Sequence, residues 1–456
     1  MKYKLNNREK VKVLKVAIVG AGAAGLAAAY ELGKHGHQAI VYEQAPFIGG
    51  QASTFDVGGE RLERGYHHWF TNDTDIITLV KEIGLGHQIR WIDSTVGTFH
   101  DGKIYNFVTP LDLLKFTPLS LMNRVRLGLV TLYLQKRSNW RSLEKITASK
   151  WLRKYAGRQA YDNFWGPMLR GKFGDEYYNQ VTLAWIWSKI QTRVASRGKG
   201  MIKEKLGYPI GSFGEVFDVL VKLIEENNGA VHLKSAVKRI IVENDNFVGL
   251  EVSPIDREPI IESFDAVIAT TPSYIFPNLV PTLPKDYLAK LNNVDYLAAV
   301  LIVLVLDRPL SHVYWLNVAD DSIPFVAVIE HTNLINADHY GGKSIVYLSN
   351  YLTPDSPLYN FTQEELIREY LPHLRKINID FDESWILTSY HHKVRAAQPV
   401  IPVNYSAKIP DHRTPFRGIY LANTTQIYPE DRGTNYSVKM GRQVAEMVIG
   451  DYSSRS

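Results

Sequence analysis

Residues Val16 to Glu43 read VAIVGAGAAGLAAAYELGKHGHQAIVYE: an apolar run, a glycine turn, an alanine-rich stretch of helical period, a stop at Gly36 and a second apolar run ending on an acid. A strand, helix and strand in so short a span commit the chain to a crossover between parallel strands, because a hairpin cannot accommodate the helix. Gly20, Gly22 and Gly25 make the pattern GxGxxG. The first permits the tight turn, the second lets backbone approach a pyrophosphate, and the third lets helix pack on strand. Ala23 and Ala24 then open a helix whose unpaired N–H groups face that phosphate. Glu43 lies eighteen residues beyond Gly25, where a carboxylate accepts hydrogen bonds from ribose hydroxyls and repels a 2′-phosphate. The unit therefore predicts a grip on FAD or NAD, and not on NADP.

The rest of the composition sets limits. At 456 residues, 45% hydrophobic and 22% charged, the chain has the makings of two or three ordinary globular domains. It has no cysteine, which excludes disulfides, thiolate metal sites and a cysteinyl-flavin link. No metal is expected, and a reducing cytoplasm is the simplest setting. Met1 to Lys10 is polar, so no signal peptide is read there, and the apolar run Tyr296 to Leu306 is too short to span a bilayer. Net charge is only +5, yet Lys115 to Lys205 holds 19 Lys and Arg against 5 Asp and Glu. Such asymmetry suits an anionic partner, a lipid surface or a diphosphate; a solvated helical surface explains it equally well. Nucleic acid is not expected, since no reading module accompanies the charge.

Along the chain, Gln44 to Thr54 carries the pair Gly49 and Gly50, a second place where backbone can pass close to a ligand. Helical spacing marks Ile76 to Ile83, and Leu111 to about Tyr155 reads as successive helices with Pro110 and Pro118 as start punctuation. The stretch LDLLKFTPLSLMNRVRLGLVTLYL mixes apolar and basic residues as an interfacial helix does. Strands are predicted around a hairpin turning at Asn244 to Asn246, at Ala266 to Ala269, at Tyr296 to Leu306, at Ser344 to Tyr351 and at Ile419 to Ala422. From Val438 the chain is helical, with Met440, Val444, Met447 and Val448 on one face. The fold class is α/β: a discontinuous Rossmann-like domain from 12–75, 205–275 and 415–450, with an inserted α+β part. That insert divides into a helical, basic segment at 76–204 and a mixed-sheet segment at 276–414.

Four separated segments, GxGxxG, IGGQAST, SFDAVIATTPS and PEDRGTNYSVKMGRQVAE, resemble the FAD-dependent amine oxidase superfamily, nearest its bacterial protoporphyrinogen-oxidase-like and phytoene-desaturase-like branch. The resemblance implies non-covalent FAD. Gly20, Gly22, Ala23, Ala24, Gly25, Glu43 and Gln44 would hold its ADP portion, with Gly49, Gly50 and Gln51 beside the pyrophosphate. Val237 would offer backbone groups to the adenine, and Thr270 would stand at the end of the SFDAVIATTPS strand. Arg432, Gly433, Thr434 and Asn435 would open the last helix toward the flavin ring. Two departures stand out: Asn423 and Thr424, whose side chains would still hydrogen-bond the ribityl or phosphate region of the cofactor, occupy places where the family has a glycine and an acid, and the arginine usual before the GG pair is missing. These point away from a monoamine oxidase.

His67 and His68 in GYHHWFTN look like a stretch of galactopyranose mutases that lies beside the flavin, and both are candidate catalytic groups, because an imidazole titrates near neutrality. Hydrogen bonding to backbone carbonyls under an aromatic cluster is the competing reading. Tyr208, Gly211, Ser212 and Phe213 in YPIGSFGE resemble the segment that reaches the substrate side. Trp165, Trp185, Trp187, Tyr314 and Trp315 either line an apolar tunnel or fill core. The expectation is an oxidoreductase moving hydride from a hydrophobic isoprenoid, polyprenol or tetrapyrrole to FAD, with oxygen, quinone or another redox protein as acceptor. It would be cytoplasmic, docked peripherally on the inner face of the membrane through its basic helices. A non-redox mutase acting on a nucleotide sugar and a turnover-deficient FAD scaffold are the alternatives.

Overall fold

The computed structural model describes residues 12–197 and 203–453, so Met1 to Lys10 and Lys199 lie outside the described residues. Five strands, all parallel, form a sheet in the spatial order Ala230–His232, Gln38–Tyr42, Lys15–Val19, Ala266–Ala269 and Ile419–Leu421. Its strands thus come from the start, middle and end of the sequence. Both faces are covered, which is why these strands are apolar without alternation. On one face Val16, Ile18, Val41 and Ile268 pack under the helices Ala23–Lys34, Ser212–Glu226 and Thr434–Ser453. On the other, Ala17, Val19, Ile40 and Val267 meet Ile240, Phe247 and Leu250 of an antiparallel layer, Ser235–Glu243, Asn246–Pro254 and Ile260–Ser263. That layer turns at Asn244 and Asp245, whose φ angles of 47° and 60° are those of a tight hairpin.

The inserted part is built on a seven-stranded mixed sheet. Its order is Ile386–Pro399, Tyr296–Leu306, Ser344–Leu352, Ala327–Glu330, Trp315–Val318, Val96–His100 and Lys103–Asn106. Tyr296–Leu306 is buried along its whole length. Its residues alternate between the nucleotide-side core (Ala299, Leu301, Val303, Val305) and a core under the helix Gln363–Ile377 (Ala298, Val300, Ile302, Leu304).

A third core belongs to the helices Leu121–Lys136, Ala148–Tyr155, Gly166–Tyr177 and Leu183–Ala195. Residues 76–204 are not helical throughout, as the sequence suggested: Ile89–Asp93, Val96–His100 and Lys103–Asn106 are strands. The last two turn at Asp101 and Gly102, with φ angles of 48° and 73°. That Asp-Gly pair was the signal, and its flanking strands are too short to show a period. Pro110 begins the helix Pro110–Lys115, whereas Pro118 lies in the link to the next helix, which Ser120 caps through the Asn123 N–H.

Candidate functional site

Two glycine turns, one after each of the first two strands of the parallel sheet, meet at its carboxyl edge. The Gly49 N–H donates to the Ala21 carbonyl at 2.8 Å, and Gly22 and Gly49 form a parallel bridge. Gly20, at φ 108°, is packed so closely that a Cβ would lie 2.4 Å from Thr270 Oγ1, and one on Gly25 would lie 2.0 Å from the Gly20 carbonyl oxygen. Above them Gly22 has nothing nearer to a Cβ than Gly50 Cα at 3.8 Å. The result is a bare backbone cradle at the start of a helix, which fits a pyrophosphate. Glu43 completes it: one carboxylate oxygen accepts the Ala21 N–H at 2.9 Å and the other the Ala45 N–H at 2.8 Å. Each oxygen keeps a lone pair for a ribose hydroxyl, while Gln44 beside it is exposed. Gln51 instead donates to the Ala396 carbonyl at 2.8 Å, tying the loop to the mixed sheet. Val237 is half-buried where its ladder shifts register before Arg239, so the backbone pairing is interrupted at the place the adenine reading needs.

The last helix starts at Thr434 and packs along the cradle's helix through Gly441 and Ala24. Of the residues expected there, Arg432 is the one aimed inward: Nε donates to Gln398 Oε1 at 3.1 Å and Nη2 to the Tyr351 hydroxyl at 2.9 Å. Thr434 accepts from Trp69 Nε1 at 3.2 Å. Asn435 Oδ1 accepts the N–H groups of Asp75 and Ile76, capping the helix Thr74–Glu82. Asn423, read from the sequence as a possible ribityl or phosphate partner, is buried and bound within the protein, donating to the Thr271 carbonyl at 2.9 Å and accepting from Thr425. Thr424 is half-buried and hydrogen-bonds Tyr296.

His67 and His68 are half-buried side by side, and desolvation holds their pKa values down, to about 4 and about 3. The proton-shuttle reading, which relied on an unperturbed pKa, does not carry over, because desolvation keeps both rings neutral around pH 7. His67 Nδ1 donates to the Gly65 carbonyl at 2.6 Å, which leaves Nε2 as a bare acceptor. His68 Nδ1 pairs with the Tyr314 hydroxyl at 3.0 Å. Trp165, Trp185 and Tyr314 are core residues, so the tunnel reading fails for them.

YPIGSFGE is held by a residue the sequence did not single out. Glu63 is wholly buried and accepts from the Tyr208 hydroxyl at 2.9 Å and the Phe213 N–H at 2.9 Å. Burial raises its pKa to about 7. Gly211 and Ser212 between them carry positive φ angles of 94° and 72°, and a Cβ on Gly211 would lie 2.0 Å from Glu215 Oε2. Phe213 is buried against Trp69 and His67, a core role. Glu63, Tyr351 and Gln398 are the residues sequence reasoning missed. The isolated acid in LERGYHHWF was the signal for the first; the strands holding the other two gave none.

The helix Leu121–Lys136 buries Leu127, Val130 and Leu134, yet Leu121, Met122, Val125, Leu129, Leu132 and Tyr133 are half or more exposed, and Leu111 and Leu114 of the preceding helix extend the same apolar character. Arg124 donates to the Leu119 and Leu114 carbonyls, and Arg126 to those of Tyr155 and Lys154. These arginines cap helix ends, so the basic pattern is partly structural. Among the described residues no helix is long and apolar enough to cross a membrane, and no group of three or more His, Asp or Glu is placed to hold a metal ion.

A family model described as flavin containing amine oxidoreductase matches residues 23–449. A probable zeta-carotene desaturase of Synechococcus elongatus is 23% identical over 96% of this chain and 98% of its own. The 15-cis-phytoene desaturase of Capsicum annuum is 24% identical over 97% of this chain and 78% of its own. A solved structure of a protoporphyrinogen oxidase-like protein from Exiguobacterium sp. 255-15 superposes with a TM-score of 0.75 at 18% identity, covering 97% of this chain and all of that one.

Proposed function

The chain belongs to the family of flavin containing amine oxidoreductases, and on that footing we propose that it oxidises a hydrophobic substrate, an isoprenoid, polyprenol or tetrapyrrole, with FAD held non-covalently. The observation that carries the dinucleotide is the paired glycine cradle with Glu43 at its end, which has places for a pyrophosphate and a ribose in line. In this reading 12–75, 205–275 and 415–450 form the FAD-binding domain, and the remaining two segments form the substrate side. FAD, when bound, supplies the hydride acceptor.

The protein's contribution is binding, orientation and charge. Arg432 and the N–H groups at the start of the last helix would supply positive charge to a bound flavin as it is reduced. His67, neutral and anchored to Gly65, presents a hydrogen-bond acceptor without a proton to give. Trp69, Phe213 and Tyr314 are buried behind the two histidines and keep water from that side. The apolar ridge from Leu111 to Tyr133 is the place where the protein would dock peripherally on a bilayer, the reservoir of an apolar substrate. Desaturases among the relatives support the substrate class.

Anaerobic mixing of the purified flavoprotein with candidate polyenes and tetrapyrroles tests the reading. Bleaching of the oxidised flavin band by one of them supports it. Turnover of a nucleotide sugar only after prior reduction would establish the mutase instead, and no response in either state would leave a scaffold. Oxygen, a quinone and a reduced-flavin-accepting protein are then compared as oxidants.

A further inference from the structure

Beside Arg432 the helical segment delivers two lysines into the same place. Lys189, on Leu183–Ala195, has Nζ 2.6 Å from Asp431 Oδ2, and Lys172, on Gly166–Tyr177, has Nζ 3.7 Å from the same oxygen. Trp185 Nε1 donates to the other carboxylate oxygen at 3.2 Å. Lys172 also stands 4.5 Å from the centre of the Tyr351 ring, whose hydroxyl accepts from Arg432. Arg432 otherwise donates to Gln398, a neutral group, and nearby Arg193 is already paired with Glu204 at 3.1 Å. Three cations therefore converge on one carboxylate.

The carboxylate is more sheltered than the lysines around it: the side chains of Asp431, Lys172 and Lys189 are 10%, 19% and 37% exposed. Burial works against the charge of Asp431, but Lys172, Lys189 and Arg432 together hold its pKa well below the ordinary range. Burial and the neighbouring Lys172 lower Lys189. Tyr351, which burial alone would raise, is pulled down by Lys172 and Arg432. Asp431 and Tyr351 thus both register the positive charge gathered around them, three cations stand against one carboxylate, and sheltered charge without a partner is costly unless a counter-charge arrives. The hydrocarbon part of a substrate cannot supply one. Tyr66, next to His67, hydrogen-bonds Tyr351, and the charges of Arg432 and Lys189 act on His67 and His68, so the cluster and the neutral histidines share one neighbourhood.

We propose that Lys172, Lys189 and Arg432 form an anion-binding end of the substrate chamber, and that the substrate is an amphiphile whose carboxylate meets them while its apolar body occupies the rest. This rests on the oxidoreductase reading and narrows it: a plain hydrocarbon is not the substrate. The same chemistry would also serve the negative charge of a reduced flavin, and the experiment separates the two.

Flavin-loaded protein is titrated calorimetrically with decanoate, 1-decanol and decylamine at pH 7. Decanoate is expected to bind about tenfold more tightly than the alcohol, and the amine more weakly than either. K172Q leaves the Lys189–Asp431 pair in place and should erase most of that preference with flavin content unchanged. The double variant K172Q/K189Q removes both lysine charges and should erase it altogether. Equal affinity for decanoate and decanol, or a preference that survives in both variants, overturns the proposal. A more negative flavin midpoint potential in the variants, with decanoate preference intact, assigns the cations to the reduced flavin and also overturns it. Protein that holds no flavin would sink the oxidoreductase reading itself, whereas flavin that is bleached by substrate without any carboxylate preference sinks only this one.

Discussion

Gly441 of the last helix lies against Ala24 of the first so closely that a Cβ on Gly441 would be 2.2 Å from the Ala24 carbonyl oxygen. The obstacle is backbone at the cradle's own helix, which cannot rotate aside. Gly441→Ala should therefore destabilise the protein by about 2 kcal/mol, as overpacking does, and release flavin more readily. Chemical unfolding and flavin retention on gel filtration measure the two effects, and wild-type values for both would show that the helices can part.

Glu43→Ala removes the acceptor of two backbone N–H groups and both candidate ribose contacts. FAD affinity should fall at least about tenfold. Glu43→Gln, which keeps a carbonyl oxygen, should fall less. Fluorescence titration of the apoprotein gives both constants, and equal affinity in all three proteins would remove Glu43 from the site.

Stability should depend on pH in two opposite ways. Glu63 and Glu330, both raised to about 7 by burial, stay protonated in the fold while the unfolded chain ionises near the ordinary 4.5. Their stabilising contribution is complete below that value and declines as pH rises toward 7, by roughly 1 kcal/mol per pH unit for each group. His67, His68 and His331 are held neutral, so their contribution is present above 6.5 and is lost as pH falls. Unfolding free energies between pH 4 and pH 8 should show both limbs. Glu63→Gln should flatten the upper one, and a slope identical to wild type would contradict the assignment.

Membrane docking should follow the ridge and not the arginines. The triple variant L121S/V125S/L129S should stop floating with anionic vesicles while unfolding at the wild-type temperature. Arg124→Gln and Arg126→Gln should instead lower the melting temperature by uncapping helix ends. Vesicle binding by the triple variant at wild-type level would dismiss the ridge as a dock.

His67→Phe should slow flavin reduction without changing its pH profile between pH 6 and pH 8, because His67 does not titrate there. A profile that loses an ionisation near neutrality in this variant would restore the proton-transfer role.

The legible parts of the sequence were those in which local chemistry and tertiary use coincide. GxGxxG, the acid at Glu43 and the GG pair announced the cradle, since each residue type there answers a local backbone need. The three-segment sheet was legible because its strands are continuous apolar runs. What could not be read depends on neighbours remote in the chain. Asn423 and Asn435 look like ligand-binding amides until Thr271 and Asp75 claim them. His67 looks titratable until Phe213 and its other neighbours desolvate the ring. Tyr351 carries no motif, and its meaning comes from Arg432 and Lys172, which lie on other elements.

The strand Ile419–Leu421 pairs with Ala266–Ala269, which in turn pairs with Lys15–Val19. During synthesis the first βαβ unit thus emerges long before either partner, and the sheet cannot close until the strand Ile419–Leu421 has left the ribosome. Over most of that interval an apolar strand edge is exposed, so the nascent protein is a natural client for a chaperone. A chain stalled or cut before residue 419 would retain the glycine signature and still be unable to assemble the sheet that makes it useful.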